Sequence, residues 1–215
     1  MSKVSATMTF QFDTDLRSSL AANLAGFETR QLDDDQLRRA AVAIVIVPDT
    51  AGASILLTLR PASINRHSGQ YALPGGRLDE NETVIEAALR ELHEEMSITL
   101  TNSDVLGRLD DYPTRSGFRI SPVVMWGSGV TDITPDPSEV AEVHHLPLDQ
   151  LNSPDIPTLS LPNNDGRQVL SMWLPVLGHD MFAPTAAIIY QFREVALNAR
   201  HTRVAHYDQP QFAWK

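Results

Sequence analysis

Between Thr83 and Met96 the chain carries a pattern that only a helix accounts for. Projected at about 100° per residue, Ile85, Leu89, Leu92 and Met96 fall in one narrow arc, the buried stripe of an amphipathic helix. Glu91, Glu94 and Glu95 gather on the opposite side, within about one third of a turn of one another. Small or apolar Val84, Ala87 and Ala88 precede them on that side. Like charges this close along a helix repel, and acidic runs of this kind are most often solvated surface. The segment just before, Leu73-Pro74-Gly75-Gly76, changes that reading. Glycines let the main chain approach a ligand and leave its carbonyls open. Alone, Pro-Gly-Gly signals a turn. At a fixed distance from three carboxylates, it adds a main-chain oxygen to the all-oxygen donor set that Mg²⁺ takes together with waters and phosphates.

The rest of the chain limits where such a helix sits. At 215 residues, 42% of them hydrophobic, the sequence fits one domain with a core of its own. Its longest apolar run, Ala40 to Pro48, has the length of a buried strand, and a membrane span needs roughly 18 residues. No membrane association is expected. The first twenty residues hold polar and acidic groups where a signal peptide would carry its apolar stretch. There is no cysteine, which excludes disulfides, thiolate metal sites and cysteine nucleophiles. The expected location is cytoplasmic. A net charge of −10, from 27 acidic and 17 basic residues, argues against nucleic acid as a partner. An anionic small molecule is still compatible if divalent metal bridges it to the protein.

Turn signals and periodicity divide the chain. Asp13 or Thr14 is suited to cap a first helix through Leu24, and Asp33 a second through Arg39. Val42–Val47 and Ser54–Leu59 form a hairpin about Pro48-Asp-Thr-Ala-Gly52. Residues 61–76 form a long loop of the kind that carries function. After the acidic helix, strands are expected over Val105–Leu109, Ile120–Trp126 and Glu139–Leu146, then a short helix at Pro147–Leu151. A second hairpin turns on Asn163-Asn-Asp-Gly166, and a final helix covers Ala183–Arg200. Strands scattered among few helices predict an α+β, or mixed α/β, layered domain. The expected organisation is a helical extension over residues 1–39 packed on a domain of 40–200, with a tail of 201–215.

Gly76, Glu82 and Arg90-Glu91-Leu92-His93-Glu94-Glu95-Met96-Ser97-Ile98 stand at the spacings of the Nudix box, Gx5Ex7REUxEExGU. Every prescribed position matches except the last glycine, which is Ser97. The chain therefore resembles the Nudix hydrolases, and the resemblance implies the Nudix fold, a mixed sheet sandwiched between helices. It implies a pyrophosphohydrolase using Mg²⁺ or Mn²⁺. The divalent-metal ligands would be Glu91, Glu94 and Glu95, with one of them doubling as general base, and Gly76 would contribute its main-chain oxygen. Arg90 and Glu82 resemble the family's structural pair, with Glu86 spaced to join them. Ser97 falls where the chain turns out of the helix, a position that favours positive φ. His93 faces between the two sides and is not expected to act as a base.

Upstream, Leu56-Leu57-Thr58-Leu59-Arg60 and Gly69 to Gly76 resemble the coenzyme A diphosphatase branch, whose motif runs LLTxR(S/A)x3Rx3Gx3FPGG. Pro61, Asn65 and Leu73 depart from it, and Arg66 stands one residue late of the second arginine. Residues 114–124, 137–143 and 147–148 extend the likeness, with a fainter echo at Pro184-Thr-Ala186. On this likeness the substrate is coenzyme A or a thioester of it, cut to 3′,5′-ADP and phosphopantetheine. Arg60, Arg66, Arg115 and Arg119 are candidates for holding phosphates. ADP-ribose or a dinucleotide polyphosphate is the alternative substrate, and a non-catalytic Nudix-fold binding module the alternative function. A homodimer is compatible with the sequence.

Overall fold

Every residue from Ala43 to Val47 is withdrawn from solvent, which is what an uninterrupted apolar, β-branched run requires of a central strand. The computed structural model describes residues 10–50, 52–61, 70–130 and 132–211. In chain order the elements are α1 (Thr14–Ala25), β1 (Arg38–Asp49), β2 (Gly52–Leu59), β3 (Tyr71–Ala72), β4 (Gly75–Arg77) and α2 (Val84–Met96). There follow β5 (Val105–Arg108), β6 (Tyr112–Pro113), β7 (Phe118–Trp126), β8 (Glu142–Pro147) and α3 (Leu148–Leu151). Next come β9 (Thr158–Leu159), β10 (Leu170–Leu174), β11 (His179–Phe182) and α4 (Thr185–Phe192), which passes into a π-helical turn over Arg193–Leu197.

The main sheet is mixed. β1 runs parallel to β7 along the whole of β7, from Arg38↔Phe118 to Ile46↔Trp126, and antiparallel to β2 at one end and to β4 at the other. β8 pairs with β2, and β5 and β6 pair with β7. A second sheet, β11-β10-β9, is antiparallel. Because side chains alternate along β1, its two faces feed two cores. Ile44 and Ile46 pack with Leu20, Leu24, Ile189 and Phe192 from α1 and α4. Ala41, Ala43 and Val45 pack with Ala87, Ala88, Leu92 and Met96 from α2. Helices therefore cover both faces of the sheet, as the resemblance implies. Among the described residues no helix is long and apolar enough to cross a membrane.

Several expectations change. Residues 33–37 form no helix; Asp34 closes a turn with Leu37, and β1 begins at Arg38, whose N–H donates to Gly117 O at 3.0 Å. Pairing with β7 outweighs the local helix signal there. The long loop contributes β3 and β4, while Asn65 and Arg66 lie outside the described residues. The last helix stops short because the chain widens after Phe192: Asn198 N–H reaches back five residues to Arg193 O, and both Arg193 and Glu194 are buried. The hairpin expected at Asn163–Gly166 forms between β9 and β10. β6 and β11, too short to leave a periodic signal, are additions.

The start of α2 is closed by a capping box: Thr83 Oγ1 accepts from Glu86 N–H, and Glu86 Oε2 accepts from Thr83 N–H at 2.8 Å. Glu86 is therefore committed to the cap and takes no part in the Arg90 pair. Replacing Thr83 with Ala removes one half of this exchange and is expected to cost about 1 kcal/mol of unfolding free energy, measured by urea denaturation.

Candidate active site

The helix α2 lies against the sheet differently from its apolar projection. Ile85 and Leu89 are half-buried, whereas Ala87, Ala88, Leu92, Met96 and Glu95 are fully buried. The helix is rolled so that Glu95 turns under the β4 edge rather than into solvent. Gly75 there has φ +151, and a Cβ would overlap Ala41 O of β1. At Gly76 a Cβ would overlap the Glu91 carboxylate. Only glycine lets strand and acidic helix approach this closely. Gly75 N–H donates to Glu95 Oε2 at 3.2 Å, a long bond for a carboxylate that is 3% exposed.

Arg90 organises the remaining carboxylates. Its Nε and Nη2 donate to the two oxygens of Glu82 at 2.8 and 3.0 Å, a fork-to-fork pair. Its Nη1 donates to Glu91 Oε1 at 2.9 Å and Glu94 Oε2 at 3.0 Å, and its Nη2 also reaches Arg77 O on β4. Hydrogen bonding to Arg90 holds the Glu82 carboxyl below its usual range. Burial raises that of Glu91, against the opposing pull of Arg90. Glu95 has no such cation in contact among the described residues, and burial pushes its pKa up to about 8, with Glu91 and Glu139 adding to the rise. Among the described residues no three His, Asp or Glu side chains stand gathered for a metal; Glu91 and Glu94 each accept from Arg90.

A metal fits the oxygen donors on one observation above all: the buried Glu95 carboxylate is under-compensated. Burying a charge without a partner is costly, and a cation beside it removes that cost. Glu139 faces the same carboxylates. Its loop is tied to the end of α2 by Thr134 N–H to Met96 O and Asp136 N–H to Glu95 O, at 3.1 and 2.9 Å. Periodicity gave no sign of Glu139, since its approach is made by these loop bonds. Ser97 leaves α2 with φ 56, as the sequence predicts, and its hydroxyl donates to Thr134 O at 3.0 Å. His93 is exposed and meets Thr99.

Gly75 and Gly76 line one end of a cleft of about 800 Å³. Arg60 also lines it; its Nε is buried and has no hydrogen-bond partner among the described residues, and the guanidinium acts electrostatically on Glu95. Arg115 lines it further along, held by the carboxylates of Asp208 and Asp165. Arg119 is not a cleft residue: it donates to Leu32 O and stands 3.7 Å from Asp111, pinning the segment before β1. The far wall comes from Ala183, Pro184, Thr185 and Ile188 at the start of α4 and from Asp208 and Gln209.

Residues 37–168 match the NUDIX domain. The chain belongs to the Nudix family. Among similar proteins is the NudL of Pectobacterium atrosepticum, described as an uncharacterised Nudix hydrolase. It is 41% identical over 116 residues, which are 54% of this chain and 60% of that protein. The NudL of Photorhabdus laumondii, described in the same words, is 30% identical over 161 residues, 74% of this chain and 86% of the other. This chain thus spans only about 60% of the length of the first of these relatives. A crystal structure of a putative Nudix family member from Chromobacterium violaceum aligns at 20% identity and a TM-score of 0.46, covering 75% of this chain and 79% of that one. The Nudix match ends at residue 168, so the α4 and Asp208 wall of the cleft lies beyond it.

The Glu95 environment sets a sign for stability without metal. Its folded-state pKa stands above the unfolded value, so metal-free protein loses stability as pH rises from about 4.5 to about 8. Glu95→Gln removes the buried charge. In EDTA its melting temperature is expected to exceed wild type by roughly 5 °C at pH 8, with the gap closing by about pH 5, in a calorimetric pH series.

Proposed function

We propose that this Nudix chain hydrolyses the diphosphate bond of a nucleoside diphosphate linked to another moiety, with coenzyme A or an acyl-coenzyme A as substrate. The products would be 3′,5′-ADP and the corresponding phosphopantetheine. The observation that carries the reaction type is the buried Glu95 carboxylate, with Glu91 beside it, against the glycine edge of an open cleft. A divalent cation, Mg²⁺ or Mn²⁺, would be held by Glu91, Glu94, Glu95 and the main-chain oxygen of Gly76. When bound it supplies charge neutralisation on the diphosphate and a lowered pKa for the attacking water.

The chain's own groups supply the rest. Arg90, anchored to Glu82, holds Glu91 and Glu94 on one side of α2, with the Glu91 carboxylate against Gly76 of the β4 edge. A carboxylate of this cluster takes the proton from the attacking water. Arg60 brings an unpaired buried N–H to the same end of the cleft, suited to a phosphate oxygen. Because metal must displace protons from the high-pKa carboxylates, its binding releases protons and tightens as pH rises towards 8.

The Leu56-Leu57-Thr58-Leu59-Arg60 stretch and the apolar wall at the start of α4 support coenzyme A, whose pantetheine arm is long and weakly polar. ADP-ribose is favoured instead by Arg115, which Asp208 and Asp165 already neutralise and which therefore offers little to a third phosphate. A panel of coenzyme A, ADP-ribose and dinucleotide polyphosphates, assayed with Mg²⁺ and with Mn²⁺, separates these by product mass. Coenzyme A should give 3′,5′-ADP, and Glu95→Gln should lower turnover by about 100-fold or more. Cleavage of ADP-ribose without coenzyme A would establish the second substrate. No metal-dependent cleavage of any diphosphate would leave a binding module.

A further inference from the structure

The cleft has a second built feature, at the start of β1, that the hydrolytic groups do not use. The Arg38 guanidinium lies over the Phe118 ring, 3.9 Å from its centroid. Its Nη2 donates to Ser116 O at 2.6 Å, and its main-chain N–H donates to Gly117 O at 3.0 Å. The turn beneath is closed on itself: Thr114 N–H donates to Phe118 O at 2.8 Å, and Phe118 N–H donates to Thr114 Oγ1 at 2.9 Å. Gly117 takes φ +80 within it. An arginine whose main chain pairs with a turn, and whose side chain is fastened to the same turn, presents a fixed plane. Arg38 is exposed and lines the cleft together with Phe118. One face of the guanidinium is covered by Phe118 and one donor is engaged by Ser116. Among the described residues nothing is stacked on the opposite face, which is left for a ligand.

Strand β1 acts as a ruler between this plane and the Gly75–Gly76 edge, both of which line the cleft. Ala41 stands opposite Gly76, and Arg38 is three residues earlier on the same strand. At about 3.3 Å per residue, the two positions are ~10 Å apart along β1. That span is comparable with the reach from a 5′-phosphorus to the base of the same nucleotide. A flat aromatic base stacks well on a guanidinium plane, and more so on one fixed against a ring. We infer that Arg38, stacked on Phe118, is the platform for the nucleobase of the substrate. This rests on the diphosphate being held at the Gly75–Gly76 end, as in the proposed function. Arg38 is a binding residue and touches no reacting atom.

Equilibrium binding of ADP and of inorganic pyrophosphate, by calorimetry with Mg²⁺ present, tests this in wild type, Arg38→Ala, Arg38→Lys and Phe118→Leu. Stacking predicts that both Arg38 variants weaken ADP by about tenfold, with Phe118→Leu intermediate and pyrophosphate unchanged within about twofold. The lysine variant keeps the charge and loses the plane. ADP binding by Arg38→Lys at the wild-type level, or equal losses for ADP and pyrophosphate, would mean a phosphate contact and overturn the platform. Wild type that binds ADP no better than pyrophosphate overturns it too. Turnover on the diphosphate panel reports separately. Hydrolysis with no base-dependent binding sinks the platform alone, whereas Arg38-dependent ADP binding without hydrolysis sinks the hydrolase reading alone.

Discussion

One guanidinium holds the acidic cluster of this molecule together. Arg90 gathers Glu82, Glu91, Glu94 and the Arg77 carbonyl on its donors, and these come from the α2 approach, from α2 itself and from β4. Without it three neighbouring acids would repel one another on a helix that must also sit hard against a sheet edge. The fork geometry matters as much as the charge, since the Glu82 pair uses two parallel bonds that an ammonium cannot copy. The capping box at Thr83 fixes where α2 begins, and so fixes the register of every carboxylate along it.

The division of labour at that edge is electrostatic. Arg90 compensates Glu82, Glu91 and Glu94, while Glu95 is buried with one long main-chain bond and the more remote charge of Arg60. Glu139 approaches the same place from a loop strapped to the last turn of α2. The site is thus built with an excess of negative charge at a point the solvent does not reach. Such an arrangement is costly for the isolated chain, and a cation at the same place would relieve it.

Much of this was legible in the residues. The acidic helix, the β1–β2 hairpin, the left-handed Ser97 and the close approach at Gly75 and Gly76 followed from periodicity, turn chemistry and the freedom of glycine, whereas Glu86, expected beside Arg90, is taken by the cap at Thr83. Other features depend on contacts between distant parts of the chain. The roll of α2 that buries Glu95 is set by the sheet beneath it, so a projection of the helix alone misjudged which side is solvated. The segment at Asp33 had a sound helix signal, but pairing of Arg38 and Arg39 with β7 claimed the strand. Arg115 and Arg119 looked like equal phosphate candidates, yet one is neutralised by Asp208 and Asp165 and the other pins Leu32 and Asp111. Arg38 stood in no motif at all; its position comes from a parallel pairing across some eighty residues of sequence.

The Asp208 contact joins matters that are otherwise separate. It bridges to β10 beside Val169, accepts from Arg115 and Asn163, and forms part of the cleft wall. The acidic helix and the glycine edge thus sit on one stretch of chain, and much of the cleft wall sits on another, joined to it both by the polar contacts of Asp208 and by the apolar core that α4 shares with β1. The cleft face of that wall and the Arg90 cluster share no residue, so a substitution at Thr185 would reshape the surface that meets a ligand and leave the carboxylates in place.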